Sequence, residues 1–185
     1  MATTDLISTT VVSGSSTNIV SLTSIPQGYT DLLLLAICKS TDTSNTYDDL
    51  DNEAILYDTG GAVMPIGGAW MGQIAASGGI VETSQFASGY NRIAMKTSNE
   101  SSGGIGVQVI TMRFLDYSST TVAKNVHTWE GKTSSTNTSG TMSKMHTGCF
   151  NGASSNLALG RIDFVLGSSK YFKADSTFSL YGINS

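Results

Sequence analysis

The sequence predicts an all-β fold: one antiparallel β-sandwich, jelly-roll-like, that spans residues 1–185 as a single domain. Short apolar segments recur about every 10–15 residues between Gly, Ser, Asn and Asp turns, which is typical of antiparallel sheets. No apolar pattern with the period of a helix persists for several turns. The absence of a repeat of fixed length disfavours a propeller or a solenoid. A chain of this length has room for one self-sufficient core.

The composition is that of a turn-rich sheet protein. The chain contains 20 glycines, 27 serines and 23 threonines, and only 13% of its residues are charged. A disordered chain would carry more charge and fewer strand-forming residues. The 10 Lys and Arg residues do not cluster and the net charge is −4, so we expect no nucleic-acid ligand. Met1–Leu6 has no basic segment or long apolar run, so we expect no signal peptide or membrane anchor, and folding in a cytoplasm.

The segment from Leu22 to Ile37 is predicted to be the centre of the core. Pro26 fixes its own φ and Gly28 permits the positive φ of a tight turn, so a turn should precede the strand. The run Leu32–Ile37 is apolar at every position, which is typical of a strand that is covered on both faces. It is too short to cross a membrane as a helix. We therefore expect a central, fully covered strand.

Turn residues separate all the other predicted strands. In chain order the predicted strands and looser strand segments are Leu6–Val12, Asn18–Leu22, Tyr29–Lys39, Ala54–Tyr57, Gly67–Ile74, Ile80–Val81, Phe86–Met95, Ile105–Phe114, Thr121–Glu130, Met142–Phe150, Leu157–Leu166 and Thr177–Ile183. The glycines of Gly67–Ile74 let backbones approach closely, so we expect irregular pairing there. In Ile105–Phe114, alternation puts Val107 and Val109 on one face and Gln108 on the other.

Three further segments are predicted to be turns or loops. Gly131–Gly140 contains no apolar side chain and should be an exposed loop. Asn151-Gly152 favours the type I′ turn of a two-residue hairpin. Gly103–Gly106 superficially resembles a phosphate-binding loop, but no Lys-Ser or Lys-Thr follows it and no helix is predicted to begin there. We interpret it as a turn and expect no cofactor.

The acidic loop from Asp42 to Asp58 is the best candidate for a metal site. Clustered carboxylates repel one another unless water or a hard cation such as Ca²⁺ neutralises them. The spacing of Asp48, Asp49 and Asp51 does not match the Asp-x-Asp-x-Asp-Gly pattern of a calcium loop. A solvated acidic edge is the favoured interpretation, Ca²⁺ remains the alternative, and we assign no metal site.

The histidines and cysteines do not form a recognisable reactive set. A hydrolase of the common α/β type needs Gly-x-Ser-x-Gly at a strand-to-helix turn, and the sequence lacks it. His127 should lie beside Trp129 on one strand face, because the two are two residues apart. Cys38 and Cys149 are expected to be small buried hydrophobes without a disulfide, and their spacing from His127 and His146 does not match a structural zinc site. We predict no catalytic residues.

Three segments carry a resemblance to a known family. Ser24-Ile25-Pro26-Gln27-Gly28-Tyr29-Thr30-Asp31-Leu32, Phe114-Leu115-Asp116-Tyr117-Ser118 and Phe172-Lys173-Ala174-Asp175-Ser176-Thr177-Phe178-Ser179-Leu180-Tyr181-Gly182-Ile183 are similar to segments of tailed-bacteriophage virion proteins of the tail-fibre or minor structural type, including those of cyanobacterial and marine phages. The resemblance implies a non-enzymatic virion component, a jelly roll that assembles as a homotrimer in the host cytoplasm.

The resemblance leaves two virion roles open. The globular pattern starts at Leu6 without coiled-coil heptads, which favours a capsid decoration (cement) protein that binds the major capsid protein and stabilises the head. The alternative is a tail-fibre or receptor-binding tip module whose exposed loops, such as Gly131–Gly140, contact host surface glycans. A carbohydrate-active enzyme would require paired carboxylates. Asp116, Glu130 and Asp163 are available, but nothing in the sequence pairs them.

Overall fold

The computed structural model describes residues 3–14, 16–41, 52–75, 81–85, 93–94, 107–133, 142–150, 157–167 and 169–184. These residues form strands and turns only, and they contain no helix able to cross a membrane. The strands are β1 (Thr3–Val11), β2 (Ile19–Leu22), β3 (Asp31–Cys38), β4 (Asn52–Asp58), β5 (Ile66–Ala75), β6 (Val81–Gln85), β7 (Ile93–Ala94), β8 (Val107–Leu115), β9 (Lys124–Thr133), β10 (Met142–Phe150), β11 (Leu159–Leu166) and β12 (Thr177–Asn184).

The strands form two antiparallel sheets that pack face to face. The large sheet has eight strands in the order β1-β12-β3-β8-β9-β10-β5-β6, and the small sheet has four in the order β2-β11-β4-β7. The predicted all-β antiparallel sandwich is therefore confirmed. We call the face of the large sheet towards the core the inner face, and the opposite one the outer face.

Aromatic residues hold the two sheets together. The ring centroids of Phe164 in β11 and Phe178 in β12 lie 4.9 Å apart, and Phe172 meets Phe178 edge-on at 5.1 Å. All three side chains are fully buried. Offset and edge-on aromatic pairs of this kind add to the free energy gained from burial alone. The small sheet thus covers the inner face around β12 and β3.

The alternation predicted for Ile105–Phe114 is confirmed along β8. Val107 is half-buried and Val109 exposed on the outer face, whereas Gln108 and Ile110 are buried on the inner face. Residue 105 lies outside the described residues. Because successive side chains of a strand point to opposite faces, the alternating residues of β8 divide between core and surface.

The central strand differs from its prediction in one respect. β3 lies inside the large sheet between β12 and β8, and Leu32, Leu34 and Ala36 are completely buried. On the opposite face Leu33 and Leu35 are only half-buried, and Ile37 is 43% exposed. The prediction of cover on both faces is therefore wrong for the single chain, because the sandwich has two layers and the second layer covers one face.

The turn before β3 is closed by side-chain hydrogen bonds. Gln27 Nε2 donates to the carbonyl oxygens of Ile25, at 2.8 Å, and Leu159, at 2.9 Å. The hydroxyl of Tyr117 donates to the carbonyl of Pro26. Positive φ in this turn occurs at Ser24, 57°, and not at Gly28, so the turn does not use the conformational freedom that the glycine permits.

The three segments that carry the family resemblance meet in this part of the fold. β3 pairs with β12 on one side and with β8 on the other. Arg113 Nη2 lies 2.8 Å from Asp31 Oδ2, and the amide of Asp116 donates to Asp31 Oδ1 at 3.1 Å. The ring of Tyr29 covers Gly182, where an added Cβ would come within 2.3 Å of ring carbons. Only glycine fits beneath that ring.

Two predicted boundaries are corrected around β9. The strand begins at Lys124 and not at Thr121, because Ser119 Oγ accepts hydrogen bonds from the amides of Thr121 and Val122 and holds them in a turn. At its other end β9 continues to Thr133, where a loop from Gly131 was expected. Cross-strand pairing with β8 and β10 extends the strand despite its polar sequence. Residues 134–140 lie outside the described residues.

The glycine-rich segment forms a longer strand than its sequence suggests. β5 covers all of Gly67–Ile74 and pairs with β10 on one side and β6 on the other. The expected irregularity is present as one register shift between Thr147 and Cys149 of β10. Such a bulge sets two residues of one strand against one of its partner. The Asn151-Gly152 turn and most of Phe86–Met95, apart from β7, lie outside the described residues.

Candidate interaction surface

A row of three apolar residues and one threonine crosses the outer face of the large sheet. In register, Val11 lies opposite Thr177, Thr177 opposite Ile37, and Ile37 opposite Val109. Val11, Ile37 and Val109 are 56%, 43% and 40% exposed. Directly opposed residues of antiparallel strands have their Cβ atoms about 5 Å apart, so the row is unbroken across four strands.

A second row lies beside the first. Leu35 is opposite Thr111, Thr111 opposite Trp129, and Trp129 opposite Met145. Trp129 is 47% and Met145 53% exposed. Together the two rows form a surface that we call the outer band. Its apolar members are Val11, Leu35, Ile37, Val109, Trp129 and Met145.

The outer band is flanked by polar groups and carries no formal charge of its own. The next row across the strands contains Arg113, His127 and Thr147. Arg113 is paired with Asp31, as described above. An uncharged apolar centre with a polar edge is the usual arrangement of a protein–protein interface.

The expected neighbours His127 and Trp129 do share a face. Their rings stack with centroids 6.3 Å apart and planes inclined by 21°, which confirms the prediction. His127 Nδ1 lies 3.3 Å from Thr147 Oγ1, within hydrogen-bond distance. This contact orients the imidazole, and the imidazole supports one side of the exposed indole. The side chain of His146, the other histidine, lies outside the described part of the chain.

The two cysteines lie in different environments and are both free thiols. Cys38 is buried, and its Sγ donates to Gln108 Oε1 at 3.7 Å. Burial, with a smaller contribution from the negative charge of Glu130, raises the pKa of Cys38 to about 12. A thiol that keeps its proton is a poor nucleophile, so Cys38 is not a candidate for catalysis.

Cys149 contradicts the expectation that both thiols are buried. It is exposed on β10, and its Sγ donates to Asn125 Oδ1 at 3.0 Å. Register explains the difference, because Cys149 lies opposite Asn125 on the outer face, which the small sheet does not cover.

The inner face of β9 is unusually polar for a position inside a sandwich. Lys124, Thr128 and Glu130 are all buried there, and Gln108 Nε2 lies 3.4 Å from Glu130 Oε2. Burial lowers the pKa of Lys124. Lys124 and Glu130 are six residues apart on one strand, a separation of about 20 Å. They therefore cannot act together as an acid–base pair.

The three carboxylates considered for an enzyme lie on different elements of the fold. Asp116 lies on the turn after β8, Glu130 in the large sheet and Asp163 in the small sheet. Asp163 Oδ2 lies 3.2 Å from Arg161, whose guanidinium stacks 3.6 Å above the ring of Tyr57. These contacts assign Asp163 and Arg161 a structural role in holding β11 against β4.

The acidic loop is described only in part. Residues 42–51 lie outside the described residues, as do residues 103–106 of the glycine turn. Glu53 and Asp58 are 7% and 5% exposed, so a solvated edge is wrong for these two. Asp58 Oδ1 accepts hydrogen bonds from the amides of Gly60 and Ala62, both at 2.9 Å, and thereby closes a turn. Within the described residues, no three His, Cys, Asp or Glu side chains are grouped as metal ligands.

Comparison of the chain with protein-family models, with curated proteins and with solved structures gave no match. Sequence reasoning did not predict the outer band. A usable signal was present in β3, whose apolar run lacks the alternation of a strand with one face in water.

Proposed function

We propose that this protein is a non-enzymatic structural component of a tailed-phage virion, and that it serves as a capsid decoration protein. The outer band is the observation that carries the proposal. Contiguous exposed apolar patches mark interaction sites. The family resemblance supplies the setting.

In this role the protein acts by burying surface. Each square ångström of apolar area removed from water stabilises a contact by about 25 cal/mol, before the cost of ordering the partners. The protein would bind between neighbouring major capsid proteins of the head and clamp them against the pressure of packaged DNA. A stable two-layer sandwich suits this task because it presents its surfaces without rearrangement.

One observation favours the tail module as a second candidate. Trp129 presents an exposed ring, supported by His127, next to the polar groups of Thr147 and Arg113. A flat aromatic surface with hydrogen-bonding neighbours suits the stacking of a sugar ring. The aliphatic neighbours Val109 and Met145 fit a protein partner better, so decoration remains the preferred function.

Counting copies in purified particles tests the proposal. Gel densitometry against the major capsid protein should show this chain in many copies, in a fixed ratio to the capsid subunit. A few copies that purify with tails would support the fibre module and contradict decoration. Absence from the particle would contradict both roles. A glycan-release assay addresses the enzymatic alternative, and release of sugar by the purified chain would overturn a purely structural function.

A further inference from the structure

We propose that the outer band is the surface through which this chain packs against a second copy of itself, large sheet against large sheet. The inference deepens the proposed function, on which its biological setting rests, by naming the partner of this face.

The first argument comes from β3. Its sequence is that of a strand covered on both faces, but the small sheet covers only the inner one. Leu33, Leu35 and Ile37 leave an apolar surface on the outer face in the middle of the sheet. A packed copy would supply the missing third layer. β3 would then be covered on both faces, as its apolar sequence predicts.

The second argument is the area available. The described outer face covers six adjacent strands, β1, β12, β3, β8, β9 and β10. At about 4.8 Å between strands and 3.3 Å per residue, strands of eight residues give a face of about 29 by 26 Å, or roughly 750 Å². Stable interfaces bury about 800 Å² on each partner. The face is therefore large enough for a specific contact but is not an extended obligate interface.

The third argument is electrostatic. A face that meets its own copy brings each charge towards an identical charge, and like charges across an interface are costly. Within the described outer face of these six strands, the formal charges are Arg113 and Asp31, which neutralise each other at 2.8 Å. The outer band itself is neutral. It can therefore meet a second outer band without repulsion.

The fourth argument is residue type. Trp and Met are enriched at the centres of interfaces, where a few such side chains provide most of the binding free energy. Trp129 and Met145 are direct cross-strand neighbours, so they form one exposed apolar pair on the face. The polar row of Arg113, His127 and Thr147 then becomes the edge of the contact.

Light scattering of the purified full chain across a concentration series tests this assignment, since one chain has a mass of 19.4 kDa. The wild type should have twice that mass at high concentration, because a face that packs against itself forms a pair. Val109→Lys and Ile37→Lys should weaken association by about a hundredfold or more, because each buries an unpaired charge. Val109→Thr keeps the shape of the side chain and adds no charge, so it should weaken association less. This variant separates a loss of association from a loss of the fold.

The chain offers matched controls outside the outer band. Val122 and Ile19 are 50% and 48% exposed, the first on the turn before β9 and the second on the small sheet. Val122→Lys and Ile19→Lys should associate as the wild type does. Equal weakening by the controls, or unchanged association of the Val109 and Ile37 variants, would overturn the assignment.

A wild type that stays at 19.4 kDa at every concentration would also overturn it. The fluorescence of such a monomer could then be followed during titration with a cell-surface glycan. A change that Trp129→Ala abolishes would show that the face binds glycan, as the tail module requires. These results are independent of copy number in the particle. A self-associating chain that is absent from virions would contradict the proposed function and leave this inference standing.

Discussion

At β3 the two faces of the large sheet carry similar apolar residues. The inner face is covered by the small sheet, and the outer face is open to solvent. On the inner face Leu32, Leu34 and Ala36 are fully buried against the small sheet. On the outer face Leu35 is half-buried and Ile37 is 43% exposed. The comparison shows that apolar sequence alone does not tell which partner covers a face. Inside the chain the partner is the second sheet, and outside it the proposed partner is another copy.

The largest difference between the faces should appear when apolar side chains are truncated. Phe178→Ala removes the ring that contacts both Phe164 and Phe172. We expect the free energy of unfolding to fall by about 3–5 kcal/mol, because a cavity remains between the sheets. Urea denaturation at low protein concentration, followed by circular dichroism, measures the change.

Ile37→Ala is the matched change on the outer face. It should lower the unfolding free energy of the dilute protein by less than about 1 kcal/mol, because the side chain is partly in water before the change. Equal losses for Phe178→Ala and Ile37→Ala would mean that the two faces are covered alike in the single chain, and the comparison would fail.

Glycines on the two faces provide a second, smaller contrast. Gly182→Ala would place a Cβ within 2.3 Å of the ring of Tyr29, whereas an added Cβ at Gly131 meets nothing within 4 Å. Displacing the ring should cost about 1–3 kcal/mol, as overpacking usually does. Gly131→Ala should be neutral or slightly stabilising, because it restricts the unfolded chain. Thermal melts of both variants measure these changes in stability. A Gly182→Ala variant as stable as the wild type would refute the close packing of Tyr29 on Gly182.

The thiols on the two faces should differ in reactivity. In the native, dilute protein a thiol reagent should modify Cys149 quickly and Cys38 only on unfolding, because Cys149 is exposed and Cys38 is buried. Mass spectrometry of the labelled chain identifies the site. Cys149→Ala should abolish the rapid reaction and Cys38→Ala should preserve it. Rapid labelling of Cys38 would show that the inner face opens.

The raised pKa of Cys38 adds a dependence on pH. The folded state keeps this proton up to about pH 12, whereas the unfolded thiol loses it near 9.0. The contribution of Cys38 to stability is therefore complete below pH 9 and declines as the pH rises from 9 to 12. The difference in unfolding free energy between wild type and Cys38→Ala should shrink across that range. A difference that stays constant would contradict the burial of the thiol.

The smallest effect is expected at the edge of the outer band. Arg113→Met removes the ion pair with Asp31, in which the arginine side chain is 47% exposed. Exposed ion pairs stabilise by about 0.2–1 kcal/mol, and salt screens them. The loss should therefore be small at low salt and smaller still at high salt. A loss that salt does not reduce would assign Arg113 a packing role.

Much of the fold could be predicted because alternation and turn residues act locally. The division of β8 between Val107, Val109 and Gln108 follows from the geometry of a strand, and so does the shared face of His127 and Trp129. The boundaries of β9 were missed at both ends. Ser119 holds its start in a turn, and neighbouring strands extend its polar end, so both depend on hydrogen bonds that no local pattern contains.

The candidate site was less accessible to prediction. The outer band exists only because the register across six strands brings together residues as distant in sequence as Val11 and Met145. Cys149 was misassigned for the same reason, since its exposure depends on which face lacks a second layer.

The sequence by itself determined the strands, their periodicity and the apolar character of β3, because these depend on residues that are neighbours along the chain. Only the tertiary structure decided which face of β3 meets the second sheet and which face remains open. That choice depends on the order in which distant strands pair, and pairing order is a property of the assembled sheet.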